Sequence, residues 1–339
     1  MTELVIRPVD AQDPPDVDAF VSVYGAAERA ADPEARLATS ADATAMLGSQ
    51  DMSFFLEGYG AFADDRLLAV SMTSGGRRDN LTLAQIQVWV HPDHRRRGVG
   101  TTLADAIETL LHRDGRTVLR TQLRAGPGHV GNQRFAESRG YAVVLSVVER
   151  RLRLPVDIAL LDRLAAEAAR RHQGYDVRVV VGPFPADLRA SYVALRNMLI
   201  AEAPSGGLEL EEAGETVENL VAEEARLEAA GRVSVAAFAV HVDQVVAYTE
   251  AQLPAGAHHV DQLGTLVHPA HRGRALGTAV KCAQLRAVGE GFPERAYIAT
   301  ANAEVNEHMV AINLALGFEV HQVWMELEKR LEPPGSQIG

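Results

Sequence analysis

Apolar and polar positions alternate along the chain in a recurring order of short strands and amphipathic helices. Leu4–Val9 reads as a strand and Pro14–Ala30 as a helix. Gly60–Ala63 and Leu67–Thr73 flank Asp64-Asp65, the signature of a hairpin turn. Leu81–Val90 is a further strand, and a glycine-bearing loop follows it. A helix then runs from Val99 to Arg113, with Leu103, Ile107 and Leu110 at helical spacing and Gly115 as its stop. Thr117–Leu123 is a strand, Val130–Arg139 a short helix and Val143–Leu152 a last strand. The order restarts at Val177, with Val233–Val240 and Val245–Gln252 as the middle hairpin. Asp157–His172 between them predicts an amphipathic linker helix, capped by Asp157 and ended by Gly174.

This recurrence is an internal duplication. Val90–Thr101 reads VHPDHRRRGVGT and Val267–Thr278 reads VHPAHRGRALGT, identical at eight of twelve positions. The offset of 177 also carries Gly140-Tyr141 onto Gly317-Phe318 and Gln85 onto Gln262. The predicted organisation is a first domain over 1–153, a linker helix over 154–176, a second domain over 177–331 and a tail over 332–339. A length of 339 residues, roughly twice an ordinary domain, agrees with two.

Composition narrows the classes. The net charge is −12, and it divides unevenly. Residues 1–153 hold 18 Arg against 20 acidic residues, whereas the remainder holds 15 Lys and Arg against 25. An acidic second half disfavours nucleic acid and suits a cationic small molecule. One cysteine, Cys282, excludes an internal disulfide framework. The charged start MTELVIRPVD lacks the apolar core of a signal peptide, and no run of about 18 apolar residues occurs. The expectation is a cytoplasmic protein with no membrane partner. Its oligomeric state, monomer or dimer, is left open.

The chemistry sits at the strand–loop–helix junction. Glycines let the main chain turn sharply and approach an anion. The first turn of the following helix offers unpaired N–H groups, and flanking arginines add donors. A diphosphate is the natural ligand. The residues expected to hold it are Arg95, Arg96, Arg97, Gly98, Val99, Gly100 and Thr101 in the first copy. Their counterparts are Arg272, Gly273, Arg274, Ala275, Leu276, Gly277 and Thr278. Ala275 stands where the first copy has Gly98, which is tolerable if its φ is negative. The pairs His91/His94 and His268/His271 read as loop scaffold rather than metal ligands, so no metal is expected. Nine glutamates lie between Glu202 and Glu228 against Arg226 alone. They are either a solvated helix face or the wall of a site for a cation.

The loop, following a Val-x-Pro strand end, resembles the acetyl-CoA loop of the GNAT superfamily of N-acetyltransferases. The resemblance covers both halves. It implies an α/β (α+β) fold of two tandem domains, each a mixed, mostly antiparallel, twisted sheet flanked by helices. It further implies acetyl-CoA in a splay of each sheet, its pantetheine arm along the strand carrying Val88 and Val90 or Leu266 and Val267. A later asparagine of the family pattern falls on Asn306, and Asn313 stands where a tyrosine acid is usual. Asn302 joins them as a candidate contact. The first copy has His129 and Ala136 at those two positions.

A primary amine with a pKa of about 10 is roughly one part in a thousand neutral at pH 7, a cost of about 4 kcal/mol, so a base is wanted. By the resemblance Asp261 is the candidate, aligned with Ala84 of the first copy, and Glu250 is a second. A backbone N–H near Val267 would hold the oxyanion. The expected activity is direct acetylation of a small, cationic amine, with the chemistry in the second copy. The alternatives are a non-catalytic acyl-CoA-binding scaffold and an enzyme like the mycothiol synthases, which are tandem proteins of this kind.

Overall fold

The computed structural model describes residues 3–332 apart from 34, 36, 49–53, 208–209 and 212–213. The expected tail therefore lies, beyond Glu332, outside the described residues. The chain divides into two compact units, Met1–Val144 with Met325–Gly339 and Leu145–Trp324. None of the helices is long and apolar enough to cross a membrane, among the described residues.

Elements are numbered in chain order. The first half contributes β1 (Val5–Pro8), α1 (Pro14–Ala31), α2 (Ser40–Leu47), β2 (Phe54–Ala63), β3 (Arg66–Gly76) and β4 (Leu83–Val90). It continues with α3 (Val99–Arg113), β5 (Val118–Arg124), α4 (Val130–Ser138) and β6 (Ala142–Arg153). After α5 (Ile158–Ala169) come β7 (Asp176–Val181), α6 (Ala186–Asn197), α7 (Leu199–Glu202), α8 (Val217–Ala229), β8 (Val233–His241) and β9 (Gln244–Leu253). The chain ends with β10 (His259–Val267), α9 (Leu276–Gly291), β11 (Tyr297–Ala303), α10 (Glu307–Ala315) and β12 (Glu319–Arg330).

Local chemistry explains the boundaries. Asp64 and Asp65 have φ of 47° and 62°, the left-handed pair of a tight hairpin that matches strand twist, and Val242-Asp243 repeats it. The helix α2, absent from the sequence reading, starts at a capping box of Thr39 and Asp42. Asp157 caps α5 as expected, accepting from the Leu160 N–H at 3.2 Å. That helix is no free linker: Leu161 and Leu164 pack into the core of the second unit with Leu285 and Val288 of α9.

In the first unit the strand order is β1-β2-β3-β4-β5-β12, and in the second β7-β8-β9-β10-β11-β6. Only β4–β5 and β10–β11 are parallel among the registered pairs. Helices bury both sheet faces. Leu103 and Ile107 of α3 join one core of the first unit, and Phe20 and Val23 of α1 join the other. In the second unit α9 and α5 cover one face, while Leu188 and Tyr192 of α6 with Leu220 of α8 cover the other.

The unit boundaries differ from the expected 1–153 and 177–331, because the last strand of each repeat completes the other repeat's sheet. β6 pairs antiparallel with β11, from Arg153 opposite Tyr297 to Val147 opposite Ala303. The end of β12 lies beside β5 in the first unit, where Leu327 is fully buried. Arg120 on β5 donates from Nε and Nη2 to Glu328 on β12 at 3.0 and 2.9 Å, both residues buried. Lys329 pairs with Glu108 of α3 at 2.6 Å.

Removing one partner of a buried ion pair strands the other charge, at about 3–5 kcal/mol. Arg120→Ala is therefore expected to destabilise the first unit by about that amount. Urea unfolding measures it, and a loss below about 1 kcal/mol would show that the pair does not hold the exchanged strand.

Candidate active site

Each sheet leads through a strand end into the duplicated loop. His91 Nδ1 accepts from the Asp93 N–H at 3.3 Å and His268 Nδ1 from the Ala270 N–H at 3.2 Å. These histidines thus build the single turn after the strand, which is the scaffold role expected of them. His94 and His271 are held below the ordinary histidine pKa chiefly by burial.

The loop needs two left-handed residues, and each copy supplies one glycine. Arg96 and Gly98 have φ of 60° and 84° in the first copy, and the aligned Gly273 and Ala275 have 80° and 57° in the second. The condition set for Ala275, a negative φ, is not met. Its Cβ is strained there by about 1–2 kcal/mol, and so is that of Arg96. Gly100 and Gly277 are required for a different reason. A Cβ on Gly100 would lie 3.0 Å from Val90 Cγ2, and one on Gly277 3.1 Å from Ile312 Cδ1. They allow the helix to pack close, while the buried Val99 and Leu276 anchor its first turn in the cores.

Neither α3 nor α9 carries a side-chain cap, so their first amides point free into the loop, Thr101 and Thr278 included. The arginines divide differently from the expectation of phosphate donors. Arg95 Nε donates to the Val90 carbonyl at 3.1 Å and Arg272 Nε to the Val267 carbonyl at 3.3 Å, stapling loop to strand. Arg272 also pairs with Glu202. Arg274 folds back on the Ala270 and Arg272 carbonyls. Arg96 and Arg97 are exposed.

Beside each loop the parallel strands part. β4 pairs with β5 only from Leu83 to Gln85, and β10 with β11 only from His259 to Asp261. The two openings differ. β3 and β4 keep one regular register, whereas β9 and β10 shift by one residue between Gln262 and Thr265. Leu263 and Gly264 thereby oppose the single residue Glu250, a β-bulge that bends β10 out of the sheet.

Residues 20–141 match the family model of the acetyltransferase (GNAT) family. A tandem GNAT protein from the clavulanic acid biosynthesis pathway, solved without AcCoA, is similar at 25% identity and a TM-score of 0.76. The alignment covers 98% of this chain and 99% of that one. Residues 20–141 are a GNAT acetyltransferase domain, and the chain over nearly its whole length is similar to a tandem GNAT protein. It is an N-acetyltransferase of tandem form. Two further structures share the fold. A GCN5-related N-acetyltransferase from Sphaerobacter thermophilus is 18% identical, with a TM-score of 0.67 over 97% of this chain and 96% of that one. A glucosamine N-acetyltransferase region of a fungal multi-domain GH3 beta-N-acetylglucosaminidase is 10% identical, with a TM-score of 0.68 over 97% of this chain and 38% of that one. The curated proteins include no match.

Within this GNAT fold the second unit concentrates its polar groups at the bulge. Glu250 is 4% exposed and accepts from Tyr192 Oη at 2.6 Å and Ser234 Oγ at 3.1 Å. Burial holds its carboxyl above the ordinary value. Its backbone carbonyl accepts from Gln262 Nε2 at 2.6 Å. A cavity of about 300 Å³ opens onto Glu250, lined also by Phe184, Leu220, Leu227, Glu223 and Glu228. The acidic segment around it is partly neutralised. Arg196 pairs with Glu215 and Glu223, and Arg189 with Glu224. Glu209 and Glu212 lie outside the described residues.

Among the described residues, the buried atoms Tyr248 Oη, Gln262 Oε1 and Asn313 Oδ1 are without a hydrogen-bond partner. Tyr248 Oη lies 2.8 Å from where a Cβ on Gly264 would stand. Asp261 is half-buried on the still-paired part of β10, 3.6 Å from His259 Nε2. Asn306 is turned inward to cap α10, accepting from the Met309 N–H. Asn313 is fully buried and donates to Asn302 Oδ1 at 2.6 Å, so one of its amide hydrogens is already spent. Cys282 is a buried core thiol, pushed up to about 11 by burial.

Ala275→Gly relieves the left-handed strain and is expected to stabilise the protein by about 0.5–1 kcal/mol after the entropy cost of glycine. Arg96→Gly should do the same in the first loop. Thermal unfolding reads both, and a destabilising Ala275→Gly would mean that the loop does not hold this φ in solution.

Proposed function

We propose that the chain acetylates a small, cationic amine with acetyl-CoA, and that the chemistry takes place in the second unit. The observation that carries this reading is the bulge at Gln262–Thr265, with a side-chain-free Gly264 and a buried carboxylate opposite it. Acetyl-CoA fits the residues present. The uncapped amides of α9 and the loop backbone of Gly273–Thr278 suit its diphosphate, and the backbone of β10 up to Leu266 and Val267 suits its pantetheine amides. The unpartnered Tyr248, Gln262 and Asn313 atoms suit a ligand that completes them. A buried polar group left unmade costs about 1–3 kcal/mol, which such a ligand would recover.

Acetyl-CoA supplies the acetyl group as a thioester. The chain's own part is to hold the amine, take its proton and steady the carbonyl oxygen. Glu250 is the base in this reading, with Asp261 as the second carboxylate. Burial raises the Glu250 pKa toward that of a useful base, and Tyr192 and Ser234 fix its orientation. As the amine nitrogen bonds to the carbonyl carbon, its proton passes to Glu250 and the carbon–sulfur bond breaks. The Tyr248 hydroxyl donates to the carbonyl oxygen as charge gathers there. The cavity's apolar Phe184, Leu220 and Leu227 suit an acceptor with an apolar body. The glutamates Glu223 and Glu228 at its wall favour a positive charge.

Glu250→Gln is expected to lower acetyl transfer by about 10²–10⁴-fold, assayed as thiol release over a panel of amines. Its folded-state pKa is raised, so Glu250 favours the fold at low pH and loses that contribution as pH rises through the folded value. Glu250→Gln should therefore be at least as stable as the parent at pH 8, which separates lost chemistry from lost folding. Unchanged turnover in Glu250→Gln together with a loss in Asp261→Asn would transfer the role to Asp261. Gly277→Glu should abolish CoA binding by the second unit, read by calorimetry.

A further inference from the structure

In the first unit the parting of β4 from β5 is not left open. The side chain of Gln87 reaches across it. In the amide orientation that satisfies both groups, its oxygen accepts from the Gln122 N–H at 2.9 Å and its nitrogen donates to the Gln122 carbonyl at 3.2 Å. A side-chain amide thus stands in for the peptide of a neighbouring strand and pairs the backbone groups that splaying had orphaned. One strand residue pair further on there is a second brace. Glu28 of α1 accepts from Trp89 Nε1 of β4 at 2.7 Å and from Arg124 Nη2 of β5 at 2.6 Å, with Glu28 and Arg124 largely buried.

The second unit has neither. At the offset of 177, Gln87 aligns with Gly264 and Trp89 with Leu266, whose side chain has no donor for such a brace. No side chain of β10 can reach over from Gly264, and the strand bulges there instead. The same opening is therefore bridged by Gln87 in one copy and lacks that bridging side chain in the other, and the difference lies in a few named residues.

We propose that Gln87, backed by the Glu28 brace, is a built-in plug that bars the pantetheine arm of CoA from the first unit, so that the chain takes one CoA. This rests on the reading that the arm lies along the splayed strand. A pantetheine amide could displace the plug only by unmaking two hydrogen bonds that are already paired, for no net gain in bonds. In the second unit it meets no such competitor. The anion loop of the first unit, still bearing Gly98 and Gly100, is then a structural remnant that turns the chain from β4 into α3.

The test is CoA stoichiometry by calorimetry on the full-length protein, with thermal melts to confirm that each variant is folded. The parent is expected to bind one CoA per chain and Gly277→Glu none. In the Gly277→Glu background, Gln87→Gly, which copies the residue of the second unit, should restore binding of one CoA. Gln87→Gly with Glu28→Ala removes both braces if the single change leaves the gap bridged. A parent stoichiometry of two overturns the proposal, and so does the failure of both folded, opened variants to regain CoA. No binding by the parent, with binding gained on opening the first unit, would keep the plug and remove the reading of the second unit.

Discussion

Where two neighbouring strands part, the peptide groups that face the gap lose their partners, and something must replace them. Buried N–H and C=O groups without partners cost about as much as lost hydrogen bonds, so a splayed sheet is a standing demand for a ligand or a substitute. Both halves of this protein meet that demand beside the same loop. The first answers with its own side chains, Gln87 across to Gln122 and Glu28 between Trp89 and Arg124. The second bends β10 away through a bulge and leaves Tyr248, Gln262 and Asn313 with unpaired atoms. Duplication supplied one fold twice, and the treatment of the gap is where the copies have become different molecules.

The loops show the same divergence on a smaller scale. Both need left-handed backbone at two positions, and neither copy has glycine at both. Arg96 carries the strain in one and Ala275 in the other. Since each loop bears about the same strain, strain alone does not mark either as the degenerate copy. What sets them apart is what the strand beside the loop offers, and the family model's agreement with residues 20–141 does not bear on that. A sequence profile reads the loop and the helix that follows. It does not read whether Gln87 has closed the gap next to them.

Much of this was legible in the residues, and the exceptions have physical causes. Asp64-Asp65 announced a hairpin because few residues tolerate two positive φ values in a row, and the Val99–Arg113 helix announced itself by its apolar stripe and Gly115. The exchange of last strands was not legible. β6 and β12 carry similar patterns and either sheet can bury either strand, so the choice falls to contacts such as Arg120–Glu328 that link positions 208 residues apart. Asp261 ranked above Glu250 because family spacing pointed to it. The register adds that the bulge sets Glu250, on the adjacent strand, against Leu263 and Gly264, which is why the proposed mechanism turns to Glu250 first. A bulge requires only that β9 cover the same span with one residue fewer, which no local pattern signals. The alignment of Gln87 with Gly264 lay in plain view, but without the parted strands nothing gave it meaning.

The missing tyrosine near the end of the second motif looks at first like the loss of an essential acid. Magnitudes argue otherwise. At neutral pH the acceptor amine lies about 3 units below its pKa, so freeing its lone pair costs about 4 kcal/mol. A departing thiolate lies only about 1.5 units below a thiol pKa of about 8.5, so leaving unprotonated costs about 2 kcal/mol. Taking the proton from the amine is the larger problem, and in the proposed mechanism it falls to Glu250, buried at the bulge and oriented by two hydroxyls. Asn313 is fully buried and donates to Asn302 Oδ1. It ties α10 to β11 through Asn302, and in the proposed mechanism the thiolate takes its proton from solvent. The proposed division of labour follows from the chemistry: a buried base where the barrier is high, and a rigid wall where it is low.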